Sequence, residues 1–150
     1  MGQQSLSMRY LPDINIWLAL SIPAHTHHRV ALEWFEKEPS SSLHFCRYTQ
    51  QGTMRLMTTA AVTSLFGRPP HTNRAALQAM NELLEHDRIH FTNEADRIFE
   101  QWAAYADVHT ASPKLWMDAY LAAFAVVGGF KLVTSDRAFK QFKGLNLQLL

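Results

Sequence analysis

Residues 112–136 read SPKLWMDAYLAAFAVVGGFKLVTSD and carry the clearest helix-to-strand signal of the chain. Ser112-Pro113 is typical of a helix start, and Gly128-Gly129 is a typical stop. The apolar segment Phe130–Thr134 then predicts a buried strand, which ends in a turn at Ser135-Asp136. We predict a helix that leads away from one edge of a sheet and a strand that returns to it.

Outward from this segment, strands and helices alternate along the chain. The predicted strands are Arg9–Leu11, Leu43–Cys46, Arg88–Phe91, Phe130–Thr134 and Asn146–Leu150. The other predicted helices cover 14–21, 26–37, 50–58, 73–85 and 94–106, with Thr49, Thr72 or Asn73, and Asn93 as candidate caps. Such alternation predicts an α/β fold, a three-layer α/β/α domain around a short, mainly parallel sheet.

Composition narrows the class of protein. The chain has 150 residues, 47% hydrophobic and 18% charged, which fits one globular domain over 8–150 after a loose extension at 1–7. The net charge of +1 argues against broad, non-specific nucleic-acid binding. One cysteine, Cys46, allows no internal disulfide. With neither a signal peptide nor a long apolar run, we expect a cytoplasmic protein without a membrane span.

Polar residues gather at the predicted carboxyl edge of the sheet, where ligands of such folds bind. Asp13 and Asp136 each follow a strand, and Asp118 lies near the start of the helix that leads away from this edge. Gln50 follows the strand Leu43–Cys46. Three converging carboxylates repel one another unless a cation binds. Oxygen ligands favour Mg²⁺ or Mn²⁺, which suits phosphodiester hydrolysis.

Each acid also has an ordinary structural interpretation. Asp13 could be a helix cap and Asp136 a turn residue. Asp118 lies in a mostly apolar helix, where a carboxylate needs a partner. Spacing alone leaves the structural and the functional interpretations evenly balanced.

Three motifs resemble those of PIN-domain ribonucleases, the VapC-type toxins of bacterial toxin–antitoxin pairs. They are LPDINIWLAL at 11–20, DAYLAA at 118–123 and LVTSDRAF at 132–139, in the family's order and at compatible distances. The segment His25–Phe35 also resembles the second helix of this group. The resemblance extends from Arg9 to Leu147.

This resemblance implies a PIN-like fold and a metal-dependent endoribonuclease that cuts tRNA or ribosomal RNA. It implies Asp13, Asp118 and Asp136 as metal ligands for Mg²⁺ or Mn²⁺. Asn15, Thr134 and Ser135 match supporting positions. It also implies a homodimer that a cognate antitoxin inhibits. Arg55 matches a position that could contact RNA phosphate or the antitoxin, although an ordinary solvated arginine is equally compatible.

One position departs from the family pattern. The segment TQQGTMR at 49–55 matches a motif in which Gln50 is usually Glu. Glutamine keeps an oxygen acceptor and loses a negative charge. We therefore expect weaker metal binding, with Gln50 orienting a metal-bound water in the catalytic set.

Several alternatives stay open at this stage. Arg137 could steer RNA, and Trp116 could stack on a base, although a solvated face and core packing explain them as well. His25, His27 and His28 could bind a transition metal, or form a polar first turn. A PIN-like module that binds RNA or protein without cutting is the main rival. A phosphoesterase for small substrates is a third possibility, and the chain lacks a glycine-rich phosphate loop.

Overall fold

A computed structural model describes residues 7–150, which form five strands and seven α-helices. The expected extension, residues 1–7, lies outside the described residues except for Ser7. The strands are β1 (Arg9–Pro12), β2 (Ser42–Phe45), β3 (Ile89–Phe91), β4 (Lys131–Thr134) and β5 (Leu147–Leu149). The helices are α1 (Ile14–Ser21), α2 (His28–Lys37), α3 (Arg47–Met57), α4 (Ala60–Thr63), α5 (Asn73–Glu85), α6 (Ile98–Ala106) and α7 (Pro113–Gly128).

All pairings in the sheet are parallel, in the order β3-β2-β1-β4-β5. The chain winds from β1 outward through β2 to β3, and β4 then lies on the other side of β1. The strand order therefore reverses between β1 and β4, and the carboxyl ends at such a switch point form a natural ligand crevice. Leu11 stands opposite Leu132 in this central pair.

Helices cover both faces of the sheet. Neighbouring residues of a strand point to opposite faces, and here both sets of side chains are apolar and need to be buried. Tyr10 and Val133 belong to the core under α1, α2 and α5. Leu11 and Leu132 belong to a second core under α6 and α7. This arrangement confirms the predicted three-layer α/β/α architecture. Along residues 7–150, no helix combines the length and apolarity that crossing a bilayer requires.

The segment at 112–136 folds as predicted. Pro113 is the first residue of α7, and Gly129 ends the helix in the left-handed region at φ 73°, a conformation that glycine adopts without strain. Gly52 has a different role, because a Cβ there would lie 2.1 Å from the Ile14 side chain. Its missing side chain lets α3 approach α1 closely beside the carboxyl edge.

Three predicted helix starts are wrong. Helix α3 begins at Arg47 instead of residue 50, because Thr49 lies inside the first turn and its hydroxyl accepts from the Cys46 N–H at 3.0 Å. Helix α2 begins at His28, two residues after the predicted start at residue 26. The turns before it contain a hydrogen bond from the His27 N–H to the His25 ring. Helix α6 begins at Ile98, because Arg97 takes a left-handed φ of 66° that no helix contains. The short α4 and the 3₁₀ turn at Ser64–Phe66 were not predicted.

Candidate active site

Asp13 lies at the point where β1 becomes α1. Its N–H donates to the Val133 carbonyl at 2.8 Å, which continues the pairing of β1 with β4 by one residue. Its Oδ1 accepts from the Ile14 N–H at 2.6 Å, so Asp13 is the cap of α1. The structural interpretation of Asp13 as a cap is thus correct, and it leaves the second carboxylate oxygen, Oδ2, for other partners.

Thr134, the last residue of β4, connects two of the acids. Its fully buried hydroxyl donates to Asp13 Oδ2 at 2.8 Å and accepts from the Asp136 N–H at 3.0 Å. One side chain therefore sets the carboxylate of Asp13 and the backbone of Asp136 relative to each other. The predicted supporting residue Thr134 lies where such a role needs it.

Asp118 reaches the same edge from the first turns of α7. Lys114 lies one helical turn earlier, and its Nζ is 3.6 Å from Asp118 Oδ2 and 2.9 Å from Asp136 Oδ2. Asp136 Oδ1 accepts from the Ala138 N–H at 2.9 Å, which holds the turn after β4. The structure thus gathers all three predicted acids, with Lys114 between two of them.

The three carboxylates influence one another electrostatically. Burial raises the pKa of Asp13, and the charges of Asp118 and Asp136 raise it further, against the bonds from Thr134 and Ile14. Burial also raises the pKa of Asp118, although Lys114 opposes this. The pKa of Asp136 is lowered, first by the Ala138 N–H and then by Lys114. The site thus combines two acids whose pKa is raised, chiefly by burial, with one whose pKa is lowered.

The carboxylate oxygens suit a hard divalent cation, but in this structure the three acids are too far apart to coordinate one ion together. Among residues 7–150, no three His, Cys, Asp or Glu side chains lie close enough together to hold an ion. Lys114 supplies the positive charge for Asp118 and Asp136. Within the same described range, the recorded ion pairs leave Asp13 without a basic partner. Binding an ion to all three acids therefore requires side-chain rearrangement.

Comparison with known families decides the relationship. The model of the PIN domain family matches residues 10–145, nearly the whole chain. The chain belongs to the PIN-domain family. Ribonuclease VapC41 of Mycobacterium tuberculosis is 48% identical to this PIN domain over 142 residues, which cover 93% of this chain and 97% of that one. Ribonuclease VapC39 of the same organism is 29% identical over 131 residues, which cover 87% and 91% of the two chains.

Two solved structures share the fold of this PIN domain. VapBC2 from Rickettsia felis, bound to a DNA fragment from its promoter, has a TM-score of 0.61 at 14% identity, over 95% of this chain and 99% of that chain. VapC20 of Mycobacterium tuberculosis, a toxin that cleaves the sarcin-ricin loop, has a TM-score of 0.61 at 20% identity, over 93% and 98%. The predicted family, α/β fold and nuclease class are confirmed, whereas the metal ion and the partners stay predictions.

Gln50 does not join the acids of this PIN domain directly. It lies in the fourth position of α3, and its side-chain oxygen accepts a short hydrogen bond from the Arg47 guanidinium. Arg47 in turn lies over the ring of Phe91, 4.5 Å from its centroid. The structure records no hydrogen bond from Gln50 to Asp13, Asp118 or Asp136 within residues 7–150. Its predicted role in orienting a water stays a prediction.

The remaining predicted residues have different surroundings. Asn15 and Ser135 are exposed neighbours of the acids, along a cleft of about 260 Å³ that His25 and His27 also line. Arg137 is exposed immediately after Asp136, and Arg55 is exposed on α3. The three histidines do not converge on a metal, because His25 stacks on Phe66 and His28 bonds to the Ala19 carbonyl.

Trp116 faces away from the acids. It lies two residues before Asp118 on α7, and residues at that helical spacing do not share a face. Its side chain is 58% exposed and lines an apolar groove of about 660 Å³ between α6 and α7, with Phe99 and Trp102. A role for Trp116 in stacking on a base at the acidic site is therefore not supported by its position.

Two residues beside the acids, Lys114 and Tyr48, were not predicted from the sequence. The contact of Lys114 with Asp118 could have been predicted, because residues four apart in a helix lie on the same face. Tyr48 lies in the first turn of α3, and burial raises the pKa of its phenol, which the charges of Asp13 and Asp118 raise further. Its position beside both acids could be inferred only from the packing of α3 against α1.

Proposed function

We propose that this PIN domain is a divalent-metal-dependent endoribonuclease and the toxin of a toxin–antitoxin pair. One observation carries the proposal: Asp13, Asp118 and Asp136 gather at the switch point of a chain that is 48% identical, over 93% of its length, to a protein named as a ribonuclease. Like-charged side chains at a switch point have a high electrostatic cost, and binding a cation offsets it.

In this proposal, Asp13, Asp118 and Asp136 hold Mg²⁺ or Mn²⁺. Three carboxylates match the hard oxygen ligands that these ions take from proteins. Burial raises the pKa of Asp13 and of Asp118, and the charges of the neighbouring acids raise both further. When bound, the cation supplies a Lewis acid for a water nucleophile and for the departing oxygen of the RNA backbone.

The residues around the acids prepare this chemistry. Thr134 and the Ile14 N–H hold both oxygens of Asp13 in a fixed orientation. The Ala138 N–H does the same for one oxygen of Asp136. Fixed acceptors lower the reorganisation needed when charge develops. Gln50 orients a water once its side chain leaves Arg47, and Asn15 and Ser135 line the approach.

RNA reaches the site over its basic rim. Arg137 follows Asp136 directly and is exposed, and Lys140 is one turn further on. Their charges attract phosphates to a site that its own carboxylates make negative. Arg55 on the opposite helix α3 is the second contact proposed for RNA or antitoxin. We propose a tRNA or ribosomal RNA as the substrate, in line with the named substrate of VapC20.

A cognate antitoxin and a second copy of the chain are the proposed protein partners, in the cytoplasm. The structural match to VapBC2, a toxin–antitoxin complex, supports the antitoxin. The apolar groove between α6 and α7 supports a protein contact, because Phe99 and Trp116 are 69% and 58% exposed there.

The proposal is tested with purified, antitoxin-free protein and total cellular RNA, in EDTA, Mg²⁺ or Mn²⁺. We expect new RNA ends only with the divalent ions, and none with Asp118→Asn. A binding module without catalysis is the second candidate, favoured by Gln50 and by the Lys114 bridge. That candidate predicts protein–RNA complexes with no new ends under any condition.

A further inference from the structure

Lys114 is the one basic residue, within residues 7–150, recorded in ion pairs with the proposed metal ligands. Its Nζ lies 2.9 Å from Oδ2 of Asp136 and 3.6 Å from Oδ2 of Asp118. These two acids come from different elements, the start of α7 and the turn after β4. A single ammonium therefore joins two carboxylates that the fold has brought together.

The three side chains of this ion-pair cluster, Lys114, Asp118 and Asp136, differ in their exposure to solvent. The side chain of Asp118 is 15% exposed and that of Asp136 is 32% exposed, whereas that of Lys114 is 69% exposed. The carboxylates are thus more enclosed than the ammonium, which reaches them from the solvent side on a flexible stem. A side chain as exposed as that of Lys114 can leave the two carboxylates with little loss of packing.

An ammonium and a divalent ion compete for the same oxygens. Lysine carries a compact point charge that donates hydrogen bonds in any direction, so it can neutralise two carboxylates without the fixed geometry that Mg²⁺ or Mn²⁺ demands. A divalent ion bound to Asp118 and Asp136 would repel the Lys114 ammonium at this separation, which favours exchange of one cation for the other.

We propose that Lys114 is an exchangeable internal cation that holds Asp118 and Asp136 together and that a divalent ion must displace. This inference rests on the proposed function, since it takes these acids as metal ligands. The device has two consequences: the acids stay near each other without metal, and the site fills only at a higher concentration of free ion than the acids alone would need.

The test is Mn²⁺ binding to the full chain without RNA, by titration calorimetry and by electron paramagnetic resonance of free Mn²⁺. We expect Lys114→Met to bind Mn²⁺ about threefold to tenfold more tightly than the native chain, the range for losing one or two partly exposed ion pairs. Lys114→Gln should do the same, and Lys114→Arg, which keeps the charge, should stay within about twofold of native.

Lys37→Met is the matched control, because it removes the same charge from an exposed position at the end of α2 that has no ion pair recorded within residues 7–150. It should change the Mn²⁺ affinity by less than about twofold. A second measurement is thermal unfolding in EDTA, where Lys114→Met should melt below the native chain and gain more from added Mn²⁺.

Equal or weaker Mn²⁺ binding by both Lys114→Met and Lys114→Gln overturns the proposal, as does an absence of Mn²⁺ binding in every chain. Equal tightening by Lys37→Met overturns it as well, because the effect would then come from net charge. Failure of the proposed function looks different: the chains would bind Mn²⁺ in the predicted order, and none would cut RNA.

Discussion

The Thr134 hydroxyl donates to Oδ2 of Asp13 at 2.8 Å across the pair of strands where the sheet order reverses. The hydroxyl oxygen of Thr134 also accepts a hydrogen bond from the Asp136 N–H at 3.0 Å. One buried hydroxyl thus sets the positions of two acids that lie 123 residues apart in the chain, at 13 and 136. Its loss should affect stability and activity together.

Thr134→Val removes this donor and keeps the shape of the side chain. We expect the free energy of unfolding to fall by about 1–3 kcal/mol, because Asp13 Oδ2 and the Asp136 N–H lose a partner in a buried position. Cleavage of RNA should also fall, since Asp13 is no longer oriented. Urea denaturation and a single-turnover cleavage assay measure the two effects. Thr134→Ser keeps the hydroxyl and should retain most of the activity; equal losses in both variants would assign Thr134 to packing alone.

Asp13→Asn should stabilise the chain while it abolishes cleavage. The amide keeps an oxygen for the Ile14 N–H, and its NH2 group can donate to the Thr134 hydroxyl, which donates to Asp13 in the native chain. The substitution also removes a desolvated charge near Asp118 and Asp136. In EDTA at neutral pH we expect the melting temperature to rise by about 2–4 °C, which corresponds to roughly 1 kcal/mol in a domain of this size. Such opposition of stability and function is common at active sites.

The pH dependence of the higher melting temperature of Asp13→Asn follows from the direction in which folding shifts the pKa of Asp13. The pKa of Asp13 is raised in the folded chain, so folding favours its protonated form. The stability that this provides is complete below the unfolded pKa and is lost as the pH rises through the folded pKa. The melting temperatures of native chain and Asp13→Asn should therefore converge in acid and separate towards neutral pH. A variant that melts below native at neutral pH would contradict this.

Gln50→Glu introduces the carboxylate that the sequence resemblance leads us to expect at this position. We expect tighter Mn²⁺ binding, by about threefold, since a fourth carboxylate approaches the site. The gain should be larger in Arg47→Ala, Gln50→Glu, because Arg47 holds the side chain of residue 50 in the native chain. Calorimetric titration with Mn²⁺ compares the two variants with Arg47→Ala alone. Identical affinities in all three would mean that residue 50 does not reach the ion.

Local signals predicted the elements that build the site. Pro113 and Gly128-Gly129 bound α7 in the sequence as they do in the structure, because ring geometry and the left-handed φ of Gly129 act on the chain locally. Strand–helix alternation then required parallel strands, and Asp13, Asp118 and Asp136 had to meet at one edge. The family resemblance assigned a chemistry to this meeting that spacing alone left open.

Side-chain partners could not be predicted in this way. Lys114 bonds to Asp136 across 22 residues, a pairing that depends on how α7 lies against β4. The orientation of Gln50 depends on Arg47 and Phe91, and that of Trp116 on the groove beside α6. The predicted start of α6 was wrong for a local reason. Arg97 adopts a left-handed backbone conformation, which is unusual for arginine and could not be predicted from its residue type.

The most direct test of the central claim is single-turnover cleavage of a defined RNA by the native chain, Asp13→Asn, Asp118→Asn and Asp136→Asn in Mn²⁺, with Asp87→Asn as the control at an exposed acid outside the site. We predict that each of the first three variants cuts at least about a hundredfold more slowly, in keeping with the loss of several kcal/mol of metal-assisted stabilisation. Asp87→Asn should match the native rate, and the product ends should lack a cyclic phosphate because water is the nucleophile. Native rates in the three site variants, or cutting that persists in EDTA, would contradict the account.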